Sequence, residues 1–383
     1  MLFFDEIFSA LGNDYTHASK ITVSNSSENL PSWFETSDLA VATMATAGFM
    51  ASQLLSYSES EVIIDKRLAS LWFDMTIRPI GWELPPIWDT IAGDYQTADG
   101  WIRLHTNAPH HRDAALSVLG DYADRENLRP VVAQWKNDEL EHAIVSANGC
   151  AAAMRRLEDW SKHPHGQTLS TEPLIDFIKR GDVAKTPNTK SLKGLKVLDL
   201  TRVLAGPIAT RFLTGLGYDA EALRYHNPKL IDVYLSAYGW AGSWATRRGF
   251  DSLVQMSSGI ANYGMETSGA DKPTPLPVQA LDHSTGYLIA AAVLKCLKER
   301  ADTGTVLSAR LSLARVAHLL TASKREALHA GMAPEISGDC EPVVERTVWG
   351  DAKHIRFPLL LDGIPFEWAY PAGRLRTSKP EWL

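Results

Sequence analysis

An internal repeat constrains this chain more than any other feature of its sequence. The stretch SDLAVATMATAGFMASQLLSY, which contains Asp38, is rich in alanine and apolar nearly all round, so it predicts a buried helix. A strand-like run and an Arg-Leu pair at Arg67 follow it. LDHSTGYLIAAAVLKCLKER and VLSARLSLAR repeat this order from Asp282 to Arg310. Chance similarity between alanine-rich stretches is the alternative, but the shared order favours a duplication or a fused two-unit architecture.

A polar stretch divides the chain into two predicted units. Residues 181–194, GDVAKTPNTKSLKG, have no apolar periodicity and predict a linker. Residues 1–180 contain the first alanine-rich helix and a helical pattern from Arg112 to Trp160 that includes AAAMRRLEDW. In residues 195–383, LKVLDLT predicts a strand, AGPIATRFLTGLG a helix and LIDVYLSAYG a buried strand. This order predicts an α/β fold, with a Rossmann-like parallel-sheet unit and a smaller α+β domain.

Composition argues against several functional classes. The formal net charge of −7 disfavours non-specific binding to nucleic acids or anionic membranes. The acidic start is unlike a signal peptide, and there is no apolar run of about 18 residues, so we expect a cytoplasmic protein without a membrane partner. The three widely spaced cysteines predict neither a disulfide framework nor a zinc site. The histidines have no ligand spacing that predicts a metal site.

Three motifs follow one another in the C-terminal unit. In LKGLKVLDLTRVLAGPIATRFLTGLG, Gly206 permits close backbone approach, and Pro207 starts a helix whose first N–H groups can face an anion. The second motif, LIDVYLSAYGWAGSWATRRGFDSLVQMSSGIANYG, contains a Gly-x-Asp triplet that ends at Asp251. The third, PLPVQALDHSTGYLIAAAVLKCLKER, places Asp282 just before the long alanine-rich helix.

On these motifs, residues 192–315 resemble family III coenzyme A-transferases, also called the CaiB/BaiF family. Residues 95–175 resemble the family's small domain more weakly. The family includes formyl-CoA transferases, carnitine CoA-transferases and α-methylacyl-CoA racemases. The resemblance implies a transferase that moves coenzyme A between carboxylic acids through an aspartyl-CoA thioester. It also implies acyl-CoA as substrate and no permanently bound cofactor.

Asp282 matches the family's catalytic aspartate. A position at a helix N-terminus favours the ionised form by roughly 0.3–1 kcal/mol, so we expect an ionised nucleophile. Backbone N–H groups near Gly259 or Gly264 are candidates to hold the developing oxyanion. A helix-capping aspartate is the alternative, because aspartate is among the best capping residues. Asp38 has the same local setting and is interpreted as a cap or a degenerate counterpart.

The resemblance also implies a coenzyme-binding surface. By position, its wall consists of Val203, Leu204, Ala205 and Gly206. Guanidinium groups suit both phosphate and carboxylate, so three arginines are candidate contacts: Arg202, Arg247 and Arg248. Exposed arginines in ordinary salt bridges are the alternative.

Two departures from the family pattern keep other functions open. The racemases pair the aspartate with a histidine in Gly-His-Asp, but this chain has Phe250 between Gly249 and Asp251, and phenylalanine cannot transfer a proton. The chain also looks shortened after residue 225, which favours a non-catalytic acyl-CoA-binding relative. The family's interlocked dimers predict a homodimer, or an internally fused pseudo-dimer within one chain.

Overall fold

The computed structural model describes most of the chain with several gaps. The described residues are 2–13, 20–25, 27–55, 61–185, 199, 201, 204–209, 229–323, 331–361, 366–368 and 370–374. Most of the predicted linker, Arg202, Val203 and the predicted shortening after residue 225 lie outside these ranges.

The helices and strands alternate along the described ranges. The helices are α1 (Phe4–Ala10), α2 (Thr36–Leu54), α3 (Lys66–Asp74), α4 (Pro109–Leu119), α5 (Arg125–Val132), α6 (Asn137–Ser146), α7 (Leu157–Lys162), α8 (Pro164–Ser170), α9 (Asp251–Ser257), α10 (Ile260–Ser268), α11 (Ala280–Asp302) and α12 (Leu313–Ala322). The strands are β1 (Ile21–Ser24), β2 (Val62–Asp65), β3 (Ile77–Pro79), β4 (Gly93–Gln96), β5 (Trp101–Leu104), β6 (Ala151–Ala153), β7 (Asp176–Asp182), β8 (Val233–Ser236), β9 (Thr305–Ser312), β10 (Glu345–Thr347), β11 (Gly350–His354) and β12 (Leu359–Leu361). Residues 205–209 add one short helical turn.

The described strands form three-stranded sheets, and two of these sheets have the same pattern of strand pairing. In the first, central strand β2 pairs parallel with β1 and antiparallel with β12. In the second, central strand β9 pairs parallel with β8 and antiparallel with β7. Each central strand follows a long helix and runs into a shorter one, which is capped by the strand's last side chain. The Asp65 carboxylate accepts the Leu68 N–H, and the Ser312 hydroxyl accepts the Arg315 N–H.

The two long helices, α2 and α11, pack directly against each other. Both are apolar nearly all round, as expected for helices covered on every side. They belong to one hydrophobic cluster that extends from Phe3 to Leu361. Asp38 and Asp282 are each the third residue of their helix. The predicted repeat therefore corresponds to two helix–strand–helix units that share a core.

The structure corrects the details of three sequence predictions. Arg67 and Arg310 are not equivalent, because Arg67 lies in α3 and Arg310 in β9. The predicted helix through AAAMRRLEDW is wrong at its start: Ala151–Ala153 form a strand paired with β5. Pairing with a neighbouring strand here overrides the high helix propensity of alanine. Val233–Ser236 form the predicted strand, but it is partly exposed rather than buried.

A smaller unit with its own core lies between the two repeated units. Strands β4, β5 and β6 form a sheet that packs with helices α4, α5 and α6 around a separate cluster, which includes Tyr95, Ile102 and Leu140. Strand β7, near the end of the predicted N-terminal unit, pairs with β9 of the predicted C-terminal unit. The structure is thus a mixed α/β protein, and the division between residues 1–180 and 195–383 stays a prediction. No described helix is long and apolar enough to cross a membrane.

Candidate active site

Asp282 lies in the first turn of α11 and is only 7% exposed. Its backbone N–H donates to Oδ2 of Asp251 at 2.9 Å. Asp251 is completely buried and begins α9. Gln255 holds its other oxygen, since Nε2 of Gln255 donates to Oδ1 of Asp251. Gln279, the residue before α11, forms no side-chain cap, so Asp251 caps this helix from a different helix.

The two carboxyl groups have unusual electrostatics. Burial, and then the charge of Asp251, raise the pKa of Asp282 well above its usual range, while a hydrogen bond from the Ala205 backbone acts in the opposite direction. Burial also raises the pKa of Asp251 to about 6. Burial and the charge of Asp251 therefore outweigh the helix dipole in setting the pKa of Asp282. Loss of hydration and a like charge can shift a carboxyl pKa by several units, whereas the dipole contributes roughly 0.3–1 kcal/mol.

The turn at Ala205 and Gly206 lies directly on this helix. The Ala205 backbone forms the hydrogen bond to Asp282. A Cβ added at Gly286, one turn further along α11, would lie 2.5 Å from the Ala205 carbonyl oxygen and 2.7 Å from the Ile208 Cβ. Only glycine at this position lets the turn approach the helix so closely. The structure thus brings Ala205 of the predicted coenzyme wall to Asp282, and Leu204 and Gly206 are its neighbours in the chain.

The other predicted contact residues have different surroundings. The guanidinium of Arg247 pairs with Glu141 of the smaller unit at 2.8 Å and lies over the Trp244 ring. Arg248 is exposed. The glycines proposed for the oxyanion have close packing contacts instead: Gly259 lies against the Leu157 backbone, and Gly264 against the Thr274 carbonyl. Their catalytic role stays a prediction.

Phe250, which stands where the racemases have a histidine, packs on the ring of another histidine, His105. The rings of Phe250 and His105 are parallel, with centroids 3.7 Å apart. Burial lowers the pKa of His105 to about 4, so its imidazole is neutral at pH 7. His283, beside Asp282 in the sequence, stacks on Phe73 with centroids 4.9 Å apart. These contacts give both histidines a packing role.

Sequence reasoning found Asp282 and Ala205 but did not identify what Asp251 does. Asp251 ends the Gly-x-Asp triplet, which contributes to the family resemblance and to the racemase comparison but does not by itself predict a contact with Asp282. Its hydrogen bond to the Asp282 backbone joins residues 31 positions apart. Gln255 had no sequence signal, because one glutamine in an apolar helix is unremarkable.

Part of the chain is similar to known coenzyme A-transferases. The family model described as CoA-transferase family III matches residues 213–348. An acyl-CoA transferase of Gibberella moniliformis is 27% identical over 36% of this chain and 27% of its own length. An acetyl-coenzyme A transferase of Hypoxylon pulicicidum is 30% identical over 56% of this chain and 51% of its own length. A succinate–glutarate CoA-transferase of Agrobacterium fabrum is 34% identical over 22% of this chain and 21% of its own length.

These matches confirm the resemblance to family III coenzyme A-transferases that the motifs predicted. The family match includes Asp251, Asp282 and Gly286. The chain spans only about a quarter to a half of the length of the first curated relatives that it matches. No solved structure matches it significantly.

Proposed function

We infer that this chain, which contains a segment of CoA-transferase family III, moves coenzyme A between carboxylic acids with Asp282 as the nucleophile. The observation that supports this most is the setting of Asp282 within the matched segment. It is a buried carboxyl group at the start of a helix, with a second carboxyl group and the Ala205 backbone beside it. Such clusters of perturbed groups are typical of catalytic sites.

The proposed reaction proceeds through covalent intermediates on Asp282. An ionised carboxylate oxygen attacks the thioester carbonyl of acyl-CoA, the C–S bond breaks, and an acyl-aspartyl anhydride and coenzyme A thiolate form. The thiolate then attacks the aspartyl carbonyl, which releases the donor acid and leaves an aspartyl-CoA thioester. The acceptor carboxylate attacks this thioester and takes over coenzyme A by the reverse sequence, which regenerates Asp282. Covalent catalysis divides one difficult exchange into easier steps.

The burial of Asp282 suits this role. A carboxylate removed from water is a stronger base and nucleophile than a hydrated one, and its raised pKa is the equilibrium measure of that change. Asp251 holds the Asp282 backbone in place, so the carboxyl group starts from a defined position on the helix. Positioning of this kind lowers the entropic cost of the reaction.

The finer predictions belong to the same proposal. Leu204, Ala205 and Gly206, with Val203, form one wall of the coenzyme site, and the Ala205–Asp282 hydrogen bond supports this placement. A Rossmann-like C-terminal unit is supported by the parallel pairing of β8 and β9 across a helical connection. Assignment to the CaiB/BaiF group and a cytoplasmic location stay predictions from the sequence.

Packing of α2 on α11, together with the matched sheets, supports an internally fused pseudo-dimer. In this arrangement, the two repeated units of one chain pair with each other, as two subunits would in a homodimer. Light scattering tests the arrangement: a strictly monomeric particle supports it, and an obligate homodimer contradicts it.

Two other functions remain as alternatives. A racemase acting on acyl-CoA needs a second proton-transfer group, and the packing of Phe250 on a neutral His105 disfavours that reading. A non-catalytic acyl-CoA-binding protein is favoured by the apparent shortening after residue 225. Exchange of the α-proton in deuterated water identifies the racemase, and binding without turnover identifies the binding protein.

Intact-protein mass spectrometry tests the proposed function. The wild type, Asp282→Asn and Asp38→Asn proteins are incubated with succinyl-CoA and acetyl-CoA. We expect a covalent adduct on the wild type and on Asp38→Asn, and none on Asp282→Asn. An equal adduct on Asp282→Asn would rule out this nucleophile. Binding of coenzyme A without an adduct on any protein would favour the non-catalytic alternative.

A further inference from the structure

A cavity of about 710 Å³ lies between helix α6 of the smaller unit and the loop of residues 243–248. Arg155, Arg247 and Arg248 line it, and Trp244 forms part of its wall. We infer that this cavity binds an oxyanion, a carboxylate or phosphate group, through Arg247 and Arg248. The inference rests on the proposed function for the identity of the ligand, but binding at this cavity is measured without turnover at Asp282.

Most of the charge in this cavity is already paired. Arg155 donates to Glu141 and to Asp138, each at 2.8 Å. Arg247 donates to Glu141 at 2.8 Å and to the Ala151 carbonyl at 2.7 Å. Burial opposes ionisation of Glu141, but the hydrogen bonds and charges of the two arginines lower its pKa to about 2. Glu141 is therefore ionised, and it shares the charges of Arg155 and Arg247, while Asp138 pairs with Arg155 at the rim.

The third guanidinium has no such partner. Arg248 is exposed and forms no ion pair in the described part of the chain. Arg247 also has an unused donor: its side chain is 6% exposed, and its Nε is buried without a hydrogen-bond partner among the described residues. A buried donor without an acceptor is costly. The lining of the cavity thus carries one excess positive charge, which a bound oxyanion would balance.

The arginines are held in place before any ligand arrives. The Arg247 guanidinium lies 4.0 Å from the centroid of the Trp244 ring and 5.0 Å from that of Tyr238. Arg155 lies 5.2 Å from the Trp244 ring. Stacking on aromatic faces and pairing with Glu141 fix the orientation of Arg247, so little side-chain entropy is lost on binding. The volume suits a small ligand, since typical ligand cavities measure roughly 300–1,000 Å³.

Two sources could supply this oxyanion: the carboxylate of an acceptor acid and the phosphates of coenzyme A. Titration calorimetry at low salt distinguishes them, with succinate and inorganic pyrophosphate as separate probes. Binding of succinate alone identifies the acid, binding of pyrophosphate alone identifies the coenzyme phosphates, and binding of both identifies a general oxyanion site. Failure of both probes to bind the wild-type chain would overturn the inference.

Substitutions of single arginines test whether the ligand binds in this cavity. We expect Arg248→Gln to weaken binding about tenfold, which corresponds to about 1.4 kcal/mol, because a charged hydrogen bond to the oxyanion is lost. Arg248 is exposed, so this variant should fold normally, whereas Arg247→Gln is first checked for folding by circular dichroism. Arg129→Gln, on the exposed surface of α5, is the matched control and should bind like the wild type. Asp282→Asn should also bind normally, which separates this inference from the proposed function. Unchanged affinity in Arg248→Gln would contradict it.

Discussion

The two repeated units begin with an aspartate at the same helical position, yet the two aspartates have opposite surroundings. Both oxygens of Asp38 accept hydrogen bonds from Nζ of Lys66 at 3.0 Å, and its side chain is 33% exposed. Asp282 is buried, and its neighbour is another carboxyl group, Asp251. Similar local sequence thus produces an ordinary ion pair in one unit and a buried pair of carboxyl groups in the other.

The two units differ in the first residue of the helix that follows each central strand. Lys66 follows the capping residue Asp65, and the equivalent residue after the capping Ser312 is Leu313, which is buried. The first unit therefore supplies a cation to its aspartate, and the second supplies an apolar side chain. Among the described residues, no cation forms an ion pair with Asp282, which agrees with its proposed role as the nucleophile.

The largest expected difference between the units is catalytic. Asp282→Asn should lower coenzyme A transfer by about 10³-fold or more, because removal of a covalent nucleophile has effects of this size. Asp38→Asn should leave the rate within about twofold of wild type. Steady-state turnover with succinyl-CoA and a carboxylic acid acceptor measures both. A comparable loss in Asp38→Asn would mean that the first unit also takes part in catalysis.

Two glycines, Gly48 in α2 and Gly286 in α11, lie where another part of the chain packs closely against each long helix. Gly286→Ala should destabilise the protein by about 3 kcal/mol and reduce transfer, because the new Cβ would meet the Ala205 backbone carbonyl at 2.5 Å. Gly48→Ala would meet only the end of the Leu359 side chain, also at 2.5 Å, and should cost about 1 kcal/mol or less. Urea unfolding and turnover measure the two effects. Equal effects on turnover would contradict a specific role for the Ala205 turn.

The ion pair between Asp38 and Lys66 should contribute to the stability of the protein and not to its catalytic activity. Asp38→Asn leaves the ammonium of Lys66, which is 6% exposed, without its partner, and should cost about 1–2 kcal/mol. Lys66→Leu copies the second unit and should cost less, because Asp38 can turn towards water. Urea midpoints compare the two variants. A larger loss in Lys66→Leu would show that burial of the lysine is not the dominant cost.

The smallest expected effect is on the pH dependence of stability. The folded-state pKa of Asp282 lies above the ordinary value of 3.8, so the folded protein binds this proton more tightly than the unfolded chain. Its favourable contribution is complete below pH 3.8 and is lost as the pH rises through the folded-state pKa. Asp282→Asn should therefore gain stability relative to wild type as the pH is raised from 4 to 7. Melting temperatures across this range provide the test, and a difference that shrinks with rising pH would contradict it.

Much of the fold was predictable because it depends on local pattern. The apolar helices around Asp38 and Asp282 are long, and the strand-like runs after them are short and bounded by polar residues. The predicted coenzyme turn at Ala205 was found from its Ala-Gly-Pro sequence. The strand Ala151–Ala153 was missed because alanine favours helices and only its pairing with β5 makes it a strand.

The sequence by itself determined the two repeated units, the helical position of both aspartates and the resemblance to family III coenzyme A-transferases. All of these follow from periodicity and motifs over short stretches of chain. Only the tertiary structure decided that Lys66 neutralises Asp38 while Asp251 faces Asp282, and that Arg247 lies with Glu141. The physical reason is that charge and burial at a side chain depend on groups brought from distant parts of the chain, and local sequence does not specify those neighbours.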